Sequence, residues 1–135
     1  MGLFNNLFNG GSEDDNNSKI NWISLTEISQ LTTLISQSSI KPILIFKHST
    51  RCGVSRMALK SFEKSYDLNE SVLEMCFLDL LSYRDLSNEI SSLLNVHHQS
   101  PQVLVVKNGD LVYHDSHYEI SLQKIKEVLD LKNFI

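Results

Sequence analysis

The chain has 135 residues, 41% of them apolar, and its 12 Lys+Arg against 16 Asp+Glu leave a formal charge of −4. That length buries one adequate core, and an acidic balance lacks the basic surface that a nucleic-acid backbone requires. No apolar run approaches the roughly 18 residues of a membrane span, and two cysteines, Cys52 and Cys76, are too few for a secreted disulfide scaffold. The expectation is a monomeric cytoplasmic protein with no nucleic acid and no membrane span.

Residues 9–18, Asn-Gly-Gly-Ser-Glu-Asp-Asp-Asn-Asn-Ser, offer no apolar side chain whose burial could offset the entropy of ordering them. Residues 1–19 are therefore expected to be a flexible N-terminal segment and linker, and residues 20–135 one domain. Within the segment, Leu3, Phe4, Leu7 and Phe8 have the spacing of one amphipathic turn.

Ser24 and Glu27 match a capping box, with Ile23 and Ile28 as its hydrophobic staple, and Leu25, Ile28, Leu31 and Ile35 continue a helical stripe. After Pro42, the continuous apolar run Ile43 to Phe46 suits a central strand buried on both faces. A second helix is expected from Val54 to Tyr66, a second strand from Val72 to Leu78, and a third helix from Ser82 with Leu86, Ile90, Leu93 and Leu94 inward. Ser100-Pro101 introduces a third strand, Val103 to Val106, which Asn108-Gly109 turns into a hairpin with Leu111 to His114. A last helix is expected over Leu122 to Leu131 behind Ser121 as cap. The predicted order is αβαβαββα, an α/β protein with a mixed four-stranded sheet flanked by helices. Its reactive group belongs where the first strand's end meets the next helix, which is where Cys52 stands.

Three features favour a thiolate at Cys52. It precedes a helix N-terminus, whose free amides and dipole stabilise an anion. Lys41, Lys47, Arg51, Arg56 and Lys60 surround it in sequence, with no acid between Glu27 and Glu63. Ser55, three residues on, carries a hydroxyl able to donate to the sulfur. Cys52-Gly53-Val54-Ser55 thus has the spacing of a Cys-x-x-Cys redox motif with Ser in place of the second cysteine, so its oxidised form is a mixed disulfide. Cys76, between Met75 and Phe77 in a strand, reads as a small buried hydrophobe. His48, four residues before Cys52, is a candidate for tuning it. His97 with His98, and His114 with His117, lack the partner residues of a metal site, so no metal is expected.

Three blocks, Phe46 to Ser55, Ser100 to Gly109 and Ser116 to Ser121, resemble the YtxJ-type monothiol bacilliredoxins of the thioredoxin-like superfamily over about Trp22 to Leu131. The resemblance implies a thioredoxin-like fold and removal of bacillithiol from S-bacillithiolated proteins by nucleophilic Cys52, with Ser55 beside it. It implies that Arg51, Gly53, Val54, Ser100, Pro101 and His117 contact substrate. It further implies that bacillithiol acts as low-molecular-weight co-substrate with no cofactor bound. Bacillithiol carries a malate group, which suits the basic segment. Where the family commonly has Thr-Cys-Pro-Ile, this chain has Arg51-Cys52-Gly53-Val54. Two alternatives stay open: a monothiol glutaredoxin-like protein using glutathione or an iron-sulfur cluster, and a redox-inactive thioredoxin-like binding module.

Overall fold

The computed structural model describes residues 20–131, so the expected N-terminal linker and its Leu-Phe turn lie outside the described residues. The elements in chain order are β1 (Ile23–Ser24), α1 (Ile28–Ser36), β2 (Ile43–His48), α2 (Gly53–Ser65), β3 (Glu74–Asp79), α3 (Arg84–Leu94), β4 (Gln102–Lys107), β5 (Asp110–Ser116) and α4 (Leu122–Val128). Short 3₁₀ turns follow α1, at Gln37–Ser39, and β5, at His117–Glu119. The strands form one mixed sheet in the order β1-β3-β2-β4-β5. β3 is parallel to both β1 and β2, whereas β4 is antiparallel to β2 and β5.

The architecture is the expected α/β class with one strand more than the four expected. Ile23 and Ser24 pair with Cys76 and Phe77 at the sheet edge instead of opening a helix. The capping box is consequently not formed. Helix α1 starts four residues after Ser24, with Glu27 at its N-cap and no side-chain cap bond there. Gln30 bridges the approach instead: its amide nitrogen donates to the Ser24 carbonyl at 2.9 Å and its amide oxygen accepts from the Thr26 N–H at 2.9 Å. Ile28, expected inward, is 47% exposed, while Leu25 and Leu31 carry the burial.

All six residues of β2 are buried, so alternate side chains feed two cores on opposite faces of the sheet. Leu44 and Phe46 pack with Phe62 of α2 and Ile125 of α4. Ile43 and Ile45 pack with Leu31 of α1 and with Leu86 and Ile90 of α3. Trp22 closes the edge of the first core, its ring edge-on to Phe46 at 6.0 Å and to Phe77 at 5.6 Å, and its indole N–H donates to Glu63 at 2.8 Å. Asn108 and Gly109 both have positive φ, 54° and 80°, as a tight hairpin turn needs. Ser38 ties that turn to the end of α1: its hydroxyl accepts from the Gly109 N–H at 2.7 Å and its carbonyl from the Asn108 N–H at 3.1 Å.

Candidate functional site

The C-terminal ends of β2 and β5 and the N-terminal end of β4 lie at one end of the sheet, because β4 runs antiparallel to both. There the chain leaves β2 at His48, turns through Ser49 to Arg51, and enters α2 at Cys52. Cys52 is the N-cap residue, with φ −105° and ψ 121°. Its N–H donates to the Ser49 carbonyl, and its own carbonyl accepts from the Arg56 N–H, both at 3.1 Å. The side chain makes no capping bond and stays partly exposed. The thiol therefore stands partly open to solvent at the N-terminal end of α2.

Ser55 was expected to donate to that thiol, and its surroundings give it another task. It is fully buried, its hydroxyl accepts from the Ser49 N–H at 3.0 Å and lies 2.8 Å from Nδ1 of His48. No hydrogen bond joins it to Cys52 among the described residues. The hydroxyl locks the β2–α2 loop to the helix, which fixes where Cys52 sits. His48 is itself buried, with its ring 5.4 Å from that of Phe77. Burial lowers its pKa, Asp79 across the strand pair works against that, and Arg56 adds to it, leaving a neutral imidazole at pH 7.

The basic segment splits in space. Lys41, at the far end of β2, pairs with Glu74 at 2.8 Å. Lys47 is fully buried and faces α3, where its ammonium donates to the Ser87 carbonyl at 3.2 Å and the Ser91 hydroxyl at 3.1 Å, with His98 Nδ1 at 3.3 Å. Desolvation brings its pKa down to about 8. Arg51, Arg56 and Lys60 remain as exposed bases at the Cys52 end, and Arg56 Nη1 also donates to the Thr50 carbonyl at 3.1 Å. Gly53 is exposed, and a Cβ added there would meet only Arg56 Nη2 at 3.9 Å. Val54 is half-buried beside it.

On the opposite wall, the Ser100-Pro101 bond is cis and Pro101 is buried. The register pairs Lys47 with Gln102, so its next step sets Pro101 beside His48. The Pro101 carbonyl accepts from the N–H of His117 at 3.1 Å, and His117 has a positive φ of 55° with its ring exposed. The Ser100 hydroxyl is buried with no partner among the described residues. Cys52, Pro101 and His117 are thus gathered at one end, as the sequence blocks require, whereas His114 projects from mid-strand and His98 is engaged with Lys47. Sequence reasoning missed the burial of Lys47. The available signal was its phase, since it shares one strand face with Ile43 and Ile45.

No helix among the described residues is long and apolar enough to cross a membrane. The chain is similar to a solved structure described as a candidate oxidoreductase with a thioredoxin fold, at 30% identity and a TM-score of 0.68, covering 79% of this chain and 92% of that one. It shares its fold with mitochondrial thioredoxin 3 from Saccharomyces cerevisiae in the oxidised form (17% identity, TM-score 0.61, 79% and 92% covered). It does so also with thioredoxin from Trypanosoma brucei brucei (16%, 0.61, 85% and 93%). The sequence profile of the family described as monothiol bacilliredoxin BrxC matches residues 23–125, most of the chain. The family match and the thioredoxin fold together support a thiol redox function, and this chain belongs to the monothiol bacilliredoxin family.

Proposed function

We propose that this protein removes bacillithiol from protein mixed disulfides through Cys52. The observation that carries the reading is the contrast within one site: Cys52 presents a partly exposed thiol at a helix N-cap, and position 55 offers a buried hydroxyl instead of a second sulfur. In the first step the Cys52 thiolate attacks the bacillithiol sulfur of the substrate. A Cys52–bacillithiol disulfide forms, the substrate disulfide breaks, and the departing protein thiolate takes a proton from water. In the second step the thiolate of free bacillithiol attacks the bacillithiol sulfur held on Cys52, which releases bacillithiol disulfide and restores Cys52.

Each group has a part in this scheme. Ser55 and His48 hold the loop that carries the partly exposed Cys52, while Pro101 and His117 form the opposite wall. Arg51 and Arg56 supply positive charge for the carboxylates of bacillithiol. Gly53 and Val54 lie where the small thiol would pass. Intact mass spectrometry after mixing with a bacillithiolated protein tests the reading. The expected result is one bacillithiol adduct on the wild-type protein and none on Cys52→Ser. A folded protein whose Cys52 gains no adduct overturns the proposal.

A further inference from the structure

Between α2, from Met57 onward, and the segment joining β5 to α4 lies a groove of about 220 Å³. Met57, Ser61 and Ser65 line one side at four-residue spacing, and Tyr118, Ile120 and Leu122 line the other. The volume suits one or two side chains and falls below that of a pocket for a drug-sized ligand. Met57 and Tyr118, both lining it, are large side chains that stay 65% and 77% exposed. The groove and the candidate site share His117, which lines the groove and is bonded through its N–H to the Pro101 carbonyl.

The charge along its α2 side is one-signed. Arg56, Lys60 and Lys64 are all exposed and repeat every four residues, so they form the helical row adjacent to Met57, Ser61 and Ser65. Lys60 and Lys64 enter no ion pair among the described residues. Glu63, the one acid of α2, is turned to Trp22. Glu119, exposed between Tyr118 and Ile120, is the acid on the other wall, so the three bases of α2 outnumber it around an apolar lining.

We infer that the groove docks the protein half of the substrate, an extended segment bearing an apolar side chain next to the modified cysteine and acidic residues beyond it. The inference rests on the thiol-exchange reading of Cys52 and names the class of protein that reaches it. Continuity with Pro101 places the modified cysteine at Sγ, and the direction of α2 carries the rest of the segment past Lys60 and Lys64.

The test is the single-turnover rate of the reduced full chain with three probes. Two are peptides carrying cysteine as a bacillithiol mixed disulfide, one with Leu and Glu flanks and one with Leu and Lys flanks. The third is the neutral small molecule bis(2-hydroxyethyl) disulfide. The acidic peptide is expected to react about fivefold faster than the basic one at low salt, with the gap closing as salt rises. Lys60→Glu/Lys64→Glu is expected to reverse that order, and Tyr118→Ser to slow both peptides. Equal peptide rates, or an acidic preference that survives the double charge reversal, overturn the docking inference while exchange at Cys52 stands. A chain that reacts with none of the three probes overturns the exchange reading, and the docking inference with it.

Discussion

Cys52 and Cys76 carry the same side chain in opposite settings. Cys52 begins a helix, partly exposed, with the Arg56 and Gly53 amides nearby. Cys76 sits mid-strand with Ile23 on one side and Ile45 on the other, fully buried among the aliphatic side chains of the α1/α3 face. Burial pushes the Cys76 thiol up to about 12, and Glu74 adds to the effect. Its level in the sheet is that of Ile45, three residues before the end of β2. Three strand residues span about 10 Å, well over the separation a disulfide tolerates, so Cys76 cannot resolve a mixed disulfide on Cys52 without unfolding. Access to water and position at a helix end separate the two cysteines, which are otherwise the same side chain.

The largest expected effect tests that contrast directly. Alkylation of the native protein at pH 8 should modify Cys52 and spare Cys76, and adding denaturant should open Cys76; peptide mapping reads the two sites. Modification of both in the native state would break the comparison.

Lys47 extends it to a cation. It is fully buried, its partners are neutral, and its pKa falls to about 8 against an ordinary value near 10.5. The unfolded chain therefore binds more protons than the folded one between those two values, so the penalty of burying the charge is complete below pH 8 and is relieved as pH rises to 10.5. Relative to Lys47→Met, which keeps the stem and removes the charge, the wild type should gain on the order of 2 to 3 kcal/mol across that window. Denaturant unfolding of both proteins at pH 7 and pH 10.5 measures it.

Ser55→Ala removes a hydroxyl that serves both Ser49 and His48. The cost should be about 1 to 3 kcal/mol, since it leaves a buried N–H and ring nitrogen unmatched. The same variant sharpens the assignment of its role: a loop anchor loses unfolding midpoint while its adduct on Cys52 still forms.

The smallest effect is expected at Gly53. The site has open space for a methyl group and is the first residue of α2, so Gly53→Ala should stabilise the protein by about 0.4 to 1 kcal/mol, read as a raised Tm.

The elements that place Cys52 were legible because their signals are strong and local. The apolar run of β2, the four-residue spacing of α2 and the Asn108-Gly109 turn each stand in the sequence by themselves. Strand β1 was not legible: two residues carry no period, and only pairing with β3 tells Ile23-Ser24 from a helix cap. Within the site, the spacing of Cys52 and Ser55 was readable, but the hydroxyl's allegiance to His48 depends on a side chain seven positions away turning inward. Lys47 was misplaced for a related reason. A charged residue is counted with its neighbours in sequence, while a strand sends alternate residues to opposite faces.

The clasp at Ser38 bears on how the site can move. The β4–β5 hairpin carries Pro101 at one end and the Asn108-Gly109 turn at the other, and Ser38 fastens only the turn. The other end is held by the sheet itself, because β4 pairs with β2 from Val106 down to Gln102, next to Pro101. Loosening Ser38 would then fray the turn and leave the wall at Pro101 in place, so the two ends of the hairpin answer to different fastenings.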